Sequence, residues 1–209
     1  MPPPDMFDLA PPLSAPTKGD CSPSIHHPLR VDLLILALLI APLMVSSRAE
    51  TDSGQRVSGT PYDRYMGPLR RVYARLGNGD LSIDEVRAQL RIGRRFRYAY
   101  DSDEPYTPTA PALTEARQSG DCKAKALWLA RQVGDRRAHY CMGRLRTSDR
   151  VSHAWLLWLN DGQWLILDPT WETELASAER AVGRRWFARY SYNGSGSYVH
   201  PTYQQYVHD

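Results

Sequence analysis

The stretch VSHAWLLWLNDGQWLILDPTW, residues 151–171, constrains the fold of this 209-residue chain more tightly than any other. Asp161-Gly162 is the dipeptide favoured at the centre of a two-residue type I′ turn, where both residues take positive φ. Val151 to Leu159 then reads as one strand and Gln163 to Leu167 as its antiparallel return. The turn sets the register: Asn160 pairs with Gln163, and counting outward places Asp168 opposite Trp155. Trp155 shares a face with His153, so Asp168 falls diagonal to His153 and within side-chain reach. A slip of one residue would send the carboxylate to the other face. Both strands are nearly unbroken apolar runs, the pattern of strands buried on both faces.

Upstream, QSGDCKAKALWLARQV (residues 118–133) opens a helix. Asp121 is a good N-cap, Cys122 takes the first helical position, and Gly134 stops the helix. Ala124, Ala126, Leu127, Leu129 and Ala130 form its inner, small-residue face. A thiol at a helix start meets unpaired backbone N–H groups and the positive end of the helix dipole, which favours thiolate. The same N–H groups can receive an oxyanion. A cysteine nucleophile also needs an imidazole to take and return a proton, and a carboxylate or amide to orient that imidazole. The hairpin carries both. Each residue alone has a structural reading: a buried cysteine, a satisfied strand-start histidine, a strand-end cap before Pro169. Placed in one register they form a candidate catalytic set of Cys122, His153 and Asp168.

The remaining pattern is helices first and sheet afterwards. Residues 61–76 carry apolar and aromatic side chains at helical spacing, disturbed by Gly67-Pro68. Ser82-Ile83-Asp84-Glu85 has the form of a capping box and opens a second helix with Ile83, Val86 and Leu90 inward. RRFRYAYDSDEPYTPTAP reads as a short aromatic strand followed by a Pro-rich loop, and RAHYCMGRL as a strand. Glu172 to Arg184 reads as a helix, and RRWFARYSYNGSGSYVHPTY as strand, turn and final strand. The expected class is α+β, with the cysteine helix packed on an antiparallel sheet.

The first 49 residues are of another kind. Residues 1–28 are rich in Pro and Ser without apolar periodicity, and are expected to be disordered or untranslated, with the true start near Leu29 or Val31. Residues 29–49 read as a signal peptide. Leu33 to Val45 is an apolar run too short, at about 1.5 Å per residue, to cross a hydrocarbon layer of about 30 Å. Ser47-Arg48-Ala49 then offers a small-x-small cleavage site. Residues 50–60 read as a polar linker and 61–209 as one domain, exported to the periplasm or beyond the cell, with no stable membrane anchor after cleavage. The 26 Lys and Arg against 23 Asp and Glu leave a formal charge of only +3, which excludes a nucleic-acid signature. Removal of Cys21 with the leader leaves Cys122 and Cys141, for which a disulfide is the default in an oxidising compartment. Six Trp and twelve Tyr supply a core and aromatic surface.

The cysteine in GDC at a helix start, then HAW on a strand, then DPTW after the next, resembles the transglutaminase-like superfamily. Within it, the RRFRYAYDSDEP lead-in and the closing RYSYNGSGSYVH resemble the bacterial transglutaminase-like cysteine peptidases. The resemblance covers roughly Phe96 to Trp171 and implies a papain-like core. It implies Cys122 as nucleophile, His153 as general base and acid, Asp168 as its orienter, and a protein or peptide substrate outside the cytoplasm. Some of these peptidases hold calcium on acidic side chains after the cysteine; Lys123, Ala124 and Lys125 stand here instead, and no cofactor or metal is expected. Tyr106 and Gln118 are the candidates to complete an oxyanion hole. Four other readings stay open. The chain could be a cross-linking transglutaminase, or a peptide- or glycan-binding module with a Cys122–Cys141 disulfide and Trp171, Trp186, Tyr190 and Tyr192 in its groove. It could hold zinc on Cys122, His139, Cys141 and His153. Finally, Cys141 could cap Cys122 reversibly.

Overall fold

In the computed structural model the described residues are 54–146, 148–149, 152–181 and 185–200. The stretches expected to be a disordered or untranslated extension and a signal peptide, together with Cys21, Val151 and the chain after His200, lie outside them. In chain order the strands are β1 (Gln55–Val57), β2 (Arg97–Tyr98), β3 (Ser119–Gly120), β4 (His139–Arg144), β5 (His153–Asn160), β6 (Gln163–Leu167), β7 (Ala176–Ser177), β8 (Phe187–Asn193) and β9 (Gly196–Val199). The α-helices are α1 (Gly67–Tyr73), α2 (Ile83–Arg95), α3 (Pro111–Arg117), α4 (Cys122–Val133) and α5 (Ala178–Ala181). None of them is long and apolar enough to cross a membrane.

Seven strands form one antiparallel sheet in the order β1-β9-β8-β4-β5-β6-β7. The hairpin takes the expected register, from Asn160 opposite Gln163 to Leu156 opposite Leu167. Asp161 and Gly162 have φ of 47° and 76°, as a type I′ turn requires. Side chains on β5 divide between two cores, because successive residues of a strand point to opposite faces. Ala154, Leu156 and Trp158 join the larger core under α1, α2 and α4. Trp155 and Leu157 join a smaller one with Cys141, Trp164, Ile166, Trp186 and Ala188. The class is the expected α+β, with the cysteine helix packed on an antiparallel sheet.

Helix α4 is enclosed more completely than its pattern announces. The expected inner face is buried, and so are Lys123, Lys125 and Trp128. Burial of each large apolar side chain on it contributes about 1.5–3 kcal/mol. The Ser82–Glu85 capping box is present, and Val86 and Leu90 are buried, but Ile83 is exposed because it stands on the first, solvent-facing turn.

Other expectations are corrected. Gly67-Pro68 does more than disturb one helix: residues 63–65 form a 3-10 turn, and α1 starts afresh with the proline in its first turn. The supposed loop before the cysteine contains α3, with Pro111 at its start, a placement that the missing proline N–H favours. The helix expected over Glu172 to Arg184 is replaced by a turn on Asp168 O, then β7 pairing with β6, and only then α5. Residues 55–57, within the stretch taken as linker, form an edge strand on β9. At Gly143 a side chain would strike Phe187 O at 1.9 Å, so only glycine allows β8 to cross the irregularity in the β4–β8 pairing.

A buried polar network ties β4 to β8 and β9. Asn193 uses its Oδ1 to accept Ser195 N and Gly196 N, which turns its Nδ2 to donate to His139 Nε2 at 2.9 Å. His139 Nδ1 then donates to Ser191 Oγ, and Ser191 donates to His200 Nε2, both at 2.9 Å. Both imidazoles are neutral in this chain of bonds. Burial holds His139 down at about 3, with His200 adding to the effect, and burial holds His200 at about 4. As pH falls below 6.5 the unfolded chain takes up protons that the folded one refuses, so stability declines progressively toward pH 4. Urea unfolding between pH 7 and 4.5 should therefore give a steep acid-side loss, and His139→Gln should flatten part of that slope; equal slopes would contradict the neutral network.

Candidate active site

Backbone pairing between segments distant in sequence places the cysteine. β2 and β3 pair in parallel, Arg97 with Ser119 and Tyr98 with Gly120, so the aromatic strand lies beside the entry to α4. Asp121 caps that helix, its Oδ1 accepting Ala124 N at 3.0 Å. Its Oδ2 forms an ion pair with the Lys123 ammonium, and both side chains are buried. Cys122 follows as the first helical residue, 7 % exposed.

The hairpin places the other two residues. His153 Nε2 donates to Asp168 Oδ2 at 2.8 Å. Asp168 is completely buried, and its remaining capacity is filled by Thr170 N on Oδ1 at 3.0 Å and Trp186 Nε1 on Oδ2 at 3.1 Å. The His153 ring stacks on Trp155, 20° from parallel with centroids 5.9 Å apart. Cys122 lines the same cleft as this ring, and its charge acts on the imidazole. Burial alone would lower the His153 pKa, but the hydrogen bond to Asp168 and the interactions with Asp168 and Cys122 outweigh it and raise the value to about 9. His153 is thus an imidazolium at neutral pH, with Nε2 on the carboxylate.

Cys122 and His153 open into a cleft of about 270 Å³, also lined by Tyr98, Leu145, Thr170 and Trp171. Larger hollows of about 750 and 670 Å³ lie elsewhere and are lined by none of Cys122, His153 and Asp168, so volume does not locate the chemistry. Trp171 is 54 % exposed at the cleft, whereas Trp186 and Tyr192, also considered for an aromatic groove, are core residues. Tyr190 is half-buried and packs against the larger core.

Tyr106 and Gln118 are not among the cleft-lining residues. The Tyr106 ring packs on Tyr62 and Tyr65, and Gln118 Nε2 donates to Glu115 O. Tyr98 stands in the cleft instead, with its pKa raised to about 12 by burial and by the charges of Cys122, Asp121 and Tyr100. It therefore keeps its proton and can donate. Sequence reading passed over Tyr98 because nothing local announces the β2–β3 pairing that brings it there. It also passed over Lys125, 1 % exposed, whose Nζ donates to Phe96 O at 3.1 Å. Burial and then Arg94 lower the Lys125 pKa, while Asp168 and Cys122 raise it, leaving it at about 8.

Both oxygens of Asp121 are occupied, by Lys123 and Ala124 N, so the residues after the cysteine do not fit calcium. Among the described residues no group of three or more His, Cys, Asp or Glu could hold a metal ion, and the four residues considered for zinc do not assemble one. Cys122 and Cys141 are both free, which corrects the disulfide expectation. They belong to cores on opposite faces of the sheet, so Cys141 cannot cap Cys122 within this fold either. Burial raises the Cys141 thiol pKa far above its ordinary range.

No protein-family model and no curated protein matches the chain. Among solved structures it is similar to Legionella pneumophila LapG, at 13 % identity and TM-score 0.46, over 75 % of this chain and 86 % of that one. The calcium-bound form of Legionella pneumophila LapG gives 15 % identity and TM-score 0.47 over the same shares. A candidate cysteine protease from Cytophaga hutchinsonii gives 21 % identity and TM-score 0.36, over 58 % of this chain and 48 % of that one.

Two outcomes follow from the geometry. The protonated His153 ring stabilises the fold fully below pH 6.5, and that contribution fades as pH rises to about 9. An NMR titration should place the His153 transition near 9, and Asp168→Asn should drop it below 6.5, because burial then prevails; an unmoved transition would contradict the pairing. Separately, chelator should leave the melting temperature unchanged, whereas Asp121→Ala should cost about 3–5 kcal/mol by stranding the Lys123 ammonium.

Proposed function

We propose that the chain is an exported cysteine peptidase or amidase working by thioester acyl transfer on a protein of the cell envelope or surface. The observation that carries this reading is the set of groups gathered around one imidazole. His153 Nε2 is 2.8 Å from a buried carboxylate, and Cys122 at a helix start lines the same cleft as the ring. Cys122 and His153 open into a cleft, and Asp168 is buried against the imidazole. The resemblance of the GDC, HAW and DPTW motifs to the transglutaminase-like superfamily, and of the RRFRYAYDSDEP and RYSYNGSGSYVH segments to its bacterial cysteine peptidases, agrees with it.

In this mechanism the Cys122 thiolate attacks a substrate carbonyl carbon. The oxyanion is received by the backbone N–H of Cys122, with the Tyr98 hydroxyl the available second donor, in place of Tyr106 or Gln118. The leaving amine takes its proton from the His153 imidazolium. His153, now neutral, removes a proton from water, which attacks the thioester and releases the acid and the thiolate. An amine in place of water would yield a cross-link. The half-exposed Trp171 beside a cleft of about 270 Å³ suits an extended polypeptide. Export rests on the Leu33 to Val45 run and its cleavage site, outside the described residues.

Limiting iodoacetamide on residues 50–209, followed by mass spectrometry, tests the reading without a known substrate. Cys122 should alkylate readily at pH 6 to 7 without prior reductant while Cys141 stays unmodified, and His153→Ala should abolish the low-pH reactivity. If Cys122 reacts only at the pH of an ordinary thiol, near 8.5, the reading fails.

A further inference from the structure

The indole of Trp186 lies outside the three residues invoked so far, yet it reaches the centre of their hydrogen bonding. Its Nε1 donates to Asp168 Oδ2 at 3.1 Å, the same oxygen that accepts His153 Nε2 at 2.8 Å. The ring is 4 % exposed. On one side the Arg185 guanidinium sits 4.7 Å from the ring centroid, and Arg185 is itself paired with Glu172 at 2.6 Å. Burial alone does not drive an indole onto an acceptor in this protein: the buried indole N–H groups of Trp128 and Trp155 find no partner among the described residues.

We propose that Trp186 is a positioning residue for the chemistry of Cys122 and His153, holding Asp168 against the imidazole and moderating how strongly the carboxylate retains the ring proton. This rests on the reading of Cys122, His153 and Asp168 as the reacting set. An oxygen that accepts two N–H donors is less basic than one accepting a single donor, so the imidazolium it faces gives up its proton more readily. That is the step needed when His153 protonates the leaving amine. The other titratable or charged groups around the pair are Cys122 and Lys125 on α4, Tyr98 on β2, Asp149 in the cleft, and the Arg185–Glu172 pair. Lys125 acts on Asp168 through charge. Trp186 acts through an uncharged hydrogen bond, so its donor can be removed without changing the net charge of the site.

Two variants remove that donor. Trp186→Phe deletes the N–H and part of the ring. Replacement of Trp186 by benzothienylalanine deletes the N–H alone and keeps the bicyclic shape, which guards against a folding defect in the first. His153 is titrated by NMR in each, and Cys122 alkylation by iodoacetamide is followed across pH 5 to 10. The His153 transition should rise by about half to one unit in both variants, in proportion to the loss of one hydrogen bond to a charged acceptor. The upper limb of the alkylation profile should move by the same amount. A transition that stays put or falls in the benzothienylalanine protein overturns the proposal, since a merely structural indole would leave the ring untouched or loosen it. If wild-type Cys122 alkylates as an ordinary thiol, the reading of the reacting set fails instead, and the His153 titration still decides the role of Trp186.

Discussion

A carboxylate with no solvent exposure must have its charge met inside the protein, and Asp168 is the point on which this structure turns. Its partners come from three separate places: the ring of His153 at the start of β5, the backbone of Thr170 in the turn that follows it, and the indole of Trp186 before β8. Truncating one partner of a buried charge pair is costly, because the other charge stays behind in a medium that solvates it poorly. The hairpin register, the turn after β6 and the crossing of β8 at Gly143 are therefore tied together by one side chain. The imidazolium of His153 is the same fact seen from the other partner.

The two faces of the sheet meet at this end. Trp155 and Trp186 lie in the smaller core, and the ring of His153 stacks on Trp155, whereas Cys122 arrives on a helix packed against the larger core. A nucleophile and a base presented by different layers meet here because the start of the helix and the start of β5 line one cleft. The Asp121 cap and its Lys123 partner fix that start, and the Lys125 ammonium anchors the helix to Phe96 O at the beginning of the aromatic strand. Two buried lysines in the first turn of α4 thus serve the site's architecture. The proposed acyl-transfer chemistry depends on that placement as much as on the identity of the residues.

What the sequence determined by itself is what short-range geometry dictates. Asp161-Gly162 has one favoured turn, that turn has one register, and the register carries His153 to Asp168. Asp121 before Cys122 and Gly134 after Val133 bound a helix by capping alone, and the Ser82–Glu85 box opens another. What only the tertiary structure decided are contacts between residues distant in sequence, or burial that no local pattern encodes. Trp186 reaches Asp168 because Gly143 admits β8 beside β4. Tyr98, rather than Tyr106 or Gln118, enters the cleft because β2 pairs with β3. Cys122 and Cys141 stay unpaired because a sheet stands between their cores. The lysines of α4 look solvent-facing by composition and are buried because elements on every side enclose that helix. Turns and caps are written in neighbouring residues; which distant elements crowd together is settled only when the whole chain has packed.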